Sequence, residues 1–246
     1  MDKEFDRRNA ERIEAMSEDH DLREMTWAWV KRATPYEYSY HFSWLGVPVI
    51  QFPQDLIALQ EIIWRVQPDL VVEAGIARGG SLIFHASMLE LVGGDGHVIG
   101  VDVDIRPHAR VAVEGHRLSH RITMIEGSST DEAIVAKVFE KAVEARSQRP
   151  LVILDSNHTN DHVLAELRAY SPLVRSGSYL VVLDTMIEKF PPHLVADRPW
   201  GPGNNPLTAV NQFLEESDRF VVDDEIERKL LITVAPGGYL HCIKDE

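Results

Sequence analysis

The sequence predicts an α/β fold with a mostly parallel sheet of seven strands and helices on both faces. Five apolar runs have the length and composition of strands: 69–73, 97–102, 121–126, 150–155 and 178–184. Four segments with helical spacing of apolar residues separate them: 81–92, 107–118, 130–146 and 160–175. Strands that alternate with helices are typical of right-handed βαβ crossovers, which place neighbouring strands parallel.

A glycine-rich turn after the first predicted strand is the second observation behind this fold. The stretch LVVEAGIARGGS passes from a strand pattern through Gly75, Gly79 and Gly80 into a helix pattern. In a parallel sheet such a turn lies at the carboxyl end of the strand, where ligands bind. Glycines there let a ligand approach the backbone closely, because they carry no Cβ.

The C-terminal part of the chain supplies the remaining two strands. A Pro/Gly-rich segment at 189–206 is too long and polar for a simple connector and is typical of a lid or binding loop. A helix is predicted at 207–217, and strands at 219–223 and 230–234. The segment 225–229 between these strands is short, which predicts an antiparallel hairpin.

The N-terminal part of the chain has a different character. Residues 1–53 are predicted to form a helical and aromatic extension, and residues 54–246 the main domain, which opens with an amphipathic helix at 54–66. The charged residues 3–19 are predicted to be helical. Within 26–53, three tryptophans, three tyrosines and two phenylalanines are predicted mostly to cover the core. The alternative is that some of these rings line a substrate or subunit contact.

Composition narrows the class of protein. The net charge is −14, and no basic cluster is interleaved with aromatics, which argues against a nucleic-acid substrate. The single cysteine, Cys242, excludes an intrachain disulfide and a cysteine-rich zinc site. No apolar run reaches membrane-spanning length, and the polar start is unlike a signal peptide. We therefore expect a cytoplasmic enzyme that contacts no membrane.

The order of residues in the turn indicates which ligand it binds. The pattern Glu73-x-Gly75-x-x-x-Gly79 lacks the first glycine pair of the dinucleotide fingerprint G-x-G-x-x-G, and its acid would repel a pyrophosphate. An acid there can instead accept a hydrogen bond from an ammonium or hydroxyl group. The spacing resembles the first motif of class I S-adenosylmethionine-dependent methyltransferases. The alternative is a glycine-rich turn that binds nothing.

Two later strand ends extend the predicted cofactor site. Asp102 follows the second strand and is placed to accept the two ribose hydroxyls of a nucleoside. Asp104 is the competing acid, although we expect it to cap the helix at 107–118. Ser128 or Ser129, just past the third strand, is placed to meet an adenine edge. As the alternative for that stretch, Thr130 or Asp131 caps the next helix.

The fourth and fifth strands end in Asp155 and Asp184, and His158 follows Asp155. Adjacent parallel strands bring their carboxyl ends together, and two carboxylates repel unless a cation joins them. Oxygen ligands with open positions suit Mg²⁺, and His158 has the ordinary pKa range of a general base. Three other interpretations compete with this one. They are zinc held by His158 and His162, carboxylates that only cap helices, and Ser156 as a nucleophile, although HTNDH lacks the glutamate of H-E-x-x-H and G-x-S-x-G is absent.

Four runs resemble the cephalosporin hydroxylase family, whose members are similar to S-adenosylmethionine-dependent methyltransferases: FSWLGVPVIQFPQDLIALQEIIWRVQPDLVVEAGIARGGS, DSNHTNDHVLAELRAYSPLV, RPWGPGNNP and KLLITVAPGGYL. The resemblance implies a Rossmann-like class I methyltransferase fold, a cofactor over the glycine turn, a divalent metal and a homo-oligomer. Carried over by position, it implies that Glu73, Gly75 and Asp102 bind the cofactor and that Asp155 and Asp184 bind the metal.

The sequence also resembles metal-dependent O-methyltransferases of the catechol type. Those place an acid three residues before a lysine base and then use an Asp-Asn pair, whereas this chain has His158 in place of the lysine and Thr185 in place of the asparagine. The cephalosporin branch has a Glu-Asp pair, but here Leu183 precedes Asp184. One carboxylate is therefore missing, and Thr185, Glu188 or water is expected to fill the gap.

Together these features predict a Mg²⁺-assisted, S-adenosylmethionine-dependent O-methyltransferase. The resemblance implies a hydroxyl of a sugar or natural product as acceptor. The predicted catalytic residues are His158 and Asp155, and the predicted metal ligands are Asp155, Asp184 and Thr185. The predicted cofactor-binding residues are Glu73, Gly75, Gly79, Ser81, Asp102, Ser128, Ser129 and Asp155.

Two other functions compete with methyl transfer. One is an oxidative enzyme, or a partner of one, in β-lactam-like biosynthesis, although no convincing 2-His-1-carboxylate triad for iron is present. The other is a non-catalytic nucleoside-binding protein, which the missing carboxylate favours.

Overall fold

From residue 70 to residue 182, strands and helices alternate along the chain in the order that the sequence predicts. The computed structural model describes residues 2–245. Its helices and strands are, in chain order, α1 (Lys3–Glu18), α2 (His20–Ala33), β1 (Phe42–Trp44), β2 (Val47–Val49), α3 (Pro53–Val66), β3 (Leu70–Ala74), α4 (Gly80–Val92), β4 (His97–Asp102), α5 (Pro107–Glu114), β5 (Ile122–Glu126), α6 (Glu132–Glu144), β6 (Pro150–Leu154), α7 (Asn160–Tyr170), β7 (Tyr179–Val182), α8 (Pro206–Glu216), β8 (Phe220–Val222), α9 (Asp224–Leu230) and β9 (Tyr239–Cys242). Short 3₁₀ turns connect several of them.

Seven of these strands form one sheet in the order β5-β4-β3-β6-β7-β9-β8. Strands β3 to β7 pair in parallel, and β9 runs antiparallel to both β7 and β8. The strand order reverses between β3 and β6, and such a reversal opens a crevice at the carboxyl ends of the strands. The predicted mostly parallel, seven-stranded fold with an antiparallel end is confirmed.

Helices cover both faces of the sheet, because alternate strand residues point to opposite sides. In β3, Val71 packs in an apolar cluster with helices α3, α4 and α5. Its neighbours Leu70 and Val72 pack in a second cluster with α6, α7 and α8. All five residues of β3 and of β6 are buried, which explains why these strands are continuous apolar runs in the sequence.

The predicted strand at 230–234 and the predicted short hairpin connection at 225–229 are wrong. Helix α9 ends at Leu230, and the last strand, β9, lies further along the chain at Tyr239–Cys242. The apolar residues that suggested a strand belong to a loop, where the buried carboxylate of Asp55 accepts hydrogen bonds from the Thr233 hydroxyl and the Val234 amide. Helix α9 has acids in its first turn and bases in its last, which suits the helix dipole.

Two predicted helices end earlier than expected. The helix predicted at 107–118 ends at Glu114, before Gly115. The helix predicted at 160–175 ends at Tyr170, and Pro172 lies in the 3₁₀ turn that follows. Glycine and proline both disfavour continuation of an α-helix.

The N-terminal segment packs over the domain at the start of α4. Hairpin residues Val47 and Val49 belong to the same apolar cluster as helix α3. A Cβ on Gly80 would lie 2.2 Å from the Pro48 carbonyl oxygen, so the hairpin and α4 touch through their backbones. Helix α1 contributes no buried residue. The division of the chain at residue 53 stays a prediction.

Within residues 2–245, no helix combines the length and the apolar composition that crossing a bilayer requires.

Candidate active site

The glycine turn is shaped by two close approaches. Gly75 has φ +99°, and a Cβ there would lie 2.1 Å from the carbonyl oxygen of Asp155. Gly79 has φ +87°, and a Cβ there would lie 2.5 Å from a methyl group of Val113 on α5. Both positions therefore require glycine for the fold itself, because the turn is wedged between the end of β6 and α5. The same geometry leaves the turn next to Asp155.

Glu73 lies beneath this turn as a buried carboxyl group. It is 1% exposed, and its Oε2 lies 3.5 Å from Nε2 of the equally buried His85. Burial raises the pKa of Glu73 well above its ordinary value, although a hydrogen bond with Ser81 opposes the rise. Burial also lowers the pKa of His85 to about 3. The predicted contacts of Glu73 and Ser81 with the cofactor stay predictions.

Asp102 stands at the end of β4, beside the same turn. Its Oδ2 accepts hydrogen bonds from the amides of Ile76, at 2.8 Å, and Ala77, at 3.3 Å. Its Oδ1 accepts from the amide of Asp104 at 3.0 Å. The expected capping role of Asp104 is wrong, because α5 is capped at Arg106 without any side-chain hydrogen bond. Asp102 thus holds the glycine turn, and its contact with the ribose hydroxyls stays a prediction.

The two serines after β5 differ in their surroundings. The Ser128 hydroxyl pairs with that of Thr130 at 3.0 Å. Ser129 is buried, and its hydroxyl lies 3.1 Å from Nε2 of His162. The alternative for this stretch is also present, because Asp131 caps α6 by accepting from the Ala133 amide. Ser128 and Ser129 as adenine contacts stay a prediction.

Exposed Ser156, half-buried His162 and buried Glu166 form a polar group beside Ser129 that the sequence does not predict. The Ser156 hydroxyl donates to the Glu166 carboxylate at 2.5 Å. His162 faces both residues through the same Nε2 atom, at 3.2 Å from the hydroxyl and 3.5 Å from the carboxylate. A nucleophile triad needs two different ring nitrogens for these contacts. The arrangement therefore argues against Ser156 as a nucleophile, and among the described residues the possible metal ligands that converge with His158 are Asp155 and Asp184, not His162.

Asp155, His158 and Asp184 converge where β6 and β7 end. Nε2 of His158 lies 3.2 Å from Oδ2 of Asp184 and 3.6 Å from Oδ1 of Asp155. One ligand atom from each residue lies within 4.8 Å of the other two. This donor set, two carboxylates and one imidazole at a half-buried position, fits a divalent cation with open coordination positions. The predicted convergence of the strand ends is present.

The two carboxylates of this cluster and the imidazole of His158 shift each other's pKa. Burial raises the pKa of Asp155 to about 6, and the nearby Asp184 adds to the rise while His158 opposes it. Burial lowers the pKa of His158, but Asp184 and Asp155 outweigh burial and bring that pKa to about 9. The two carboxylates therefore favour the protonated form of His158. The site is organised to hold positive charge.

The residues proposed to replace the missing carboxylate are engaged elsewhere. The Thr185 hydroxyl is fully buried and donates to the carbonyl of Pro236 at 2.8 Å. Oε2 of Glu188 accepts hydrogen bonds from the amide of Gly203 and the side chain of Asn205. Leu183 is buried in the apolar core. His158 completes the group of three in their place, and Thr185 as a metal ligand stays a prediction.

A cavity of about 590 Å³ opens above Asp155, His158 and Asp184. The Pro/Gly-rich segment contributes Trp200, whose ring meets that of His158 edge-on at 4.8 Å between centroids. The N-terminal segment contributes Tyr38 and the buried Gln51. The Pro/Gly-rich segment is predicted to be a lid or binding loop, and substrate contact is the alternative for the N-terminal rings. The sequence singles out neither Trp200 nor Gln51. The cavity is large enough for a small organic acceptor.

Known proteins are similar to this chain in sequence and in fold. The family model described as Rhamnosyl O-methyltransferase/CmcI matches residues 36–243. Rhamnosyl O-methyltransferases from Mycobacterium bovis BCG and Mycobacterium leprae are each 32% identical over 202 residues, which span 80% of this chain and 77% or 82% of theirs.

Two solved structures resemble the fold. The CmcI structure with Mg and S-adenosylmethionine has a TM-score of 0.58 and 18% identity, and the match covers 83% of this chain and 77% of CmcI. An O-methyltransferase from Bacillus cereus in complex with S-adenosylhomocysteine has a TM-score of 0.53 and 16% identity, with 89% and 91% covered. At these identities the likeness concerns the fold alone. The sequence match confirms the predicted relationship and the predicted enzyme class, S-adenosylmethionine-dependent O-methyltransferase, and the chain belongs to the Rhamnosyl O-methyltransferase/CmcI family.

Proposed function

We propose that this protein transfers the methyl group of S-adenosylmethionine to a hydroxyl of a sugar or sugar-bearing natural product, with the assistance of Mg²⁺. One observation carries the proposal. The acids at the ends of β6 and β7 converge with His158 beside the glycine turn and at the base of a cavity of about 590 Å³. The rhamnosyl O-methyltransferases that share 32% identity support a sugar hydroxyl as the acceptor.

The cofactor lies over the turn at Gly75 and Gly79 in this proposal. Asp102 would bind its ribose, and Ser128 and Ser129 would contact its adenine. Asp155 stands where the turn and the acid cluster meet, since its carbonyl oxygen is the atom that excludes a Cβ at Gly75. This shared contact keeps the donor and the acceptor site close together, and proximity is the main source of rate in a methyl transfer.

Asp155 and Asp184 would hold the metal, and His158 lies beside them. When bound, Mg²⁺ would supply Lewis acidity that makes an acceptor hydroxyl more acidic. A cation on the two carboxylates would also take the place of the proton that they stabilise on His158, so the neutral imidazole could accept the hydroxyl proton. The oxygen then forms its bond to the methyl carbon as the sulfur–methyl bond breaks, which leaves a neutral thioether.

The oxidative alternative receives no support from this geometry. The cluster holds one histidine and two carboxylates, whereas the iron site of that chemistry uses two histidines and one carboxylate.

Methyl transfer to a panel of rhamnosides and other glycosides tests the proposal. After treatment with EDTA we expect activity to fall by at least about 100-fold and to return with added Mg²⁺, because the metal carries the activation of the hydroxyl. Asp184→Asn is expected to lose activity to a similar extent while it still binds S-adenosylhomocysteine. Full turnover in EDTA would remove the metal from the mechanism. Cofactor binding without any methylation would favour the non-catalytic alternative.

The predicted homo-oligomer is also a proposal. On α3, Ile57 and Trp64 are seven residues apart on one helix face and are 54% and 64% exposed. Apolar side chains exposed in this way support contact between copies of the chain. Light scattering coupled to size exclusion would measure the mass, and a monomer would contradict the proposal. The cytoplasmic location stays a prediction.

A further inference from the structure

Gln51 is the polar side chain from the N-terminal segment that reaches the acid cluster. It lies between β2 and α3, is 4% exposed and lines the cavity. Its Nε2 donates a hydrogen bond to Oδ2 of Asp155 at 3.4 Å, across 104 positions of sequence. The contact therefore joins the segment outside the main sheet to the carboxylate at the end of β6.

The two carboxylate oxygens of Asp155 face different neighbours. Oδ2 faces the amide of Gln51, whereas Oδ1 faces Nε2 of His158 at 3.6 Å. A carboxamide nitrogen donates two hydrogen bonds and accepts none. It can therefore pair only with a carboxyl oxygen that acts as an acceptor. With Oδ2 held in this way, the carboxylate cannot turn freely, and Oδ1 stays directed toward His158.

The other end of the same amide has no such partner. Oε1 of Gln51 is buried and accepts no hydrogen bond from any residue in 2–245. A buried amide oxygen without a partner costs free energy, and an apolar side chain of the same size would avoid that cost. Packing alone therefore does not account for glutamine here, whereas the bond to Asp155 does.

The backbone around Gln51 is fixed on both sides. Val49 and Phe52 are buried in the apolar core, at 1% and 7% exposure. The hairpin also touches α4 through the contact of Pro48 with Gly80. The amide of Gln51 is thus delivered to Asp155 by a rigid support.

From this geometry we infer that Gln51 is a positioning residue that fixes the rotamer of Asp155 for metal binding. It acts through Asp155, whose Oδ1 it keeps aligned with His158 and Asp184. Outer groups that hydrogen-bond to a metal-ligating carboxylate orient the ligand and strengthen metal binding. The inference rests on the proposed function, because Asp155 must be a metal ligand.

The test compares Gln51→Met with Gln54→Met. Gln54 lies on the first turn of α3 and also has a buried Oε1 without a partner, but it does not line the cavity, so it is a matched control. Mn²⁺ binding by electron paramagnetic resonance and Mg²⁺ binding by calorimetry give the metal Kd. S-adenosylhomocysteine Kd and the melting temperature are measured beside it.

For Gln51→Met we expect the metal Kd to rise by about 10- to 100-fold, the loss typical of an outer-shell partner. The Kd for S-adenosylhomocysteine should stay within about 2-fold of the wild-type value, since the cofactor residues keep their contacts. Gln54→Met should change neither the metal Kd nor the Kd for S-adenosylhomocysteine. Gln51→Asn, which keeps an amide but is one methylene too short, is the second variant and should also weaken metal binding.

Two outcomes overturn the inference. The first is a wild-type metal Kd in Gln51→Met. The second is a matched loss of metal affinity, cofactor affinity and melting temperature, which indicates a purely structural role. Asp184→Asn separates this failure from that of the proposed function. If wild type and Asp184→Asn bind metal equally poorly, the metal site itself is wrong and both proposals fall. If only Asp184→Asn loses the metal, the error concerns Gln51 alone.

Discussion

Gly75 is the position at which a single added methyl group should disturb both the fold and the acid cluster. In Gly75→Ala the new Cβ would lie 2.1 Å from the carbonyl oxygen of Asp155, and φ is +99°. Gly177 provides a matched comparison, because its φ is +88° but no atom lies within 4 Å of the place that a Cβ would occupy. The difference between the two variants isolates the close approach from the backbone strain.

The expected losses of unfolding free energy follow from the backbone strain and from the close approach. A left-handed backbone costs an alanine about 1–2 kcal/mol, which is the whole effect expected for Gly177→Ala. Forcing an extra methyl into a packed site costs roughly 1–3 kcal/mol more, so Gly75→Ala should lose about 2–5 kcal/mol. For a chain of this length the melting temperature should fall by about 2–8 °C in Gly177→Ala and by about 4–20 °C in Gly75→Ala.

Thermal and urea unfolding of both variants measures this difference, and calorimetry with Mg²⁺ adds a second measure. Relief of the clash must move Asp155, so Gly75→Ala should also weaken Mg²⁺ binding, whereas Gly177→Ala should not. Equal melting temperatures in the two variants would refute the close approach. A destabilised Gly75→Ala with normal metal affinity would show that Asp155 is not displaced.

Two further predictions concern His85 and Trp200. Because burial lowers the pKa of His85 to about 3, the unfolded state takes up its proton first as the pH falls below about 6.5. Between pH 7 and 4.5 this should remove about 2–3 kcal/mol from the unfolding free energy of wild type but not of His85→Asn, and parallel urea profiles for the two proteins would contradict it. Trp200→Ala removes the ring beside His158 and should lower kcat/KM for the acceptor by about 10-fold. The Kd for S-adenosylhomocysteine should not change, and an unaltered kcat/KM would exclude Trp200 from the acceptor site.

The sequence by itself determined the five parallel strands and the position of the acids. The continuous apolar runs of β3 and β6 identify strands buried on both faces, and their order along the chain implies parallel pairing. Parallel pairing in turn places Asp155 and Asp184 at one edge, where the structure has them within reach of His158. These features follow from local periodicity and from one topological rule, and both can be taken directly from the sequence.

Contacts between residues far apart in the sequence decided the features that periodicity does not predict. The segment 230–234 has a strand's composition, but Asp55, 178 positions before Thr233, holds it as a loop. Thr185 follows Asp184 in the sequence, but its hydroxyl donates its hydrogen bond to the carbonyl of Pro236. Gln51 gives no signal in its own segment, because its partner Asp155 lies 104 positions away. Hydrogen-bond partners of buried polar groups depend on which segments meet in space, and periodicity along the chain does not encode that.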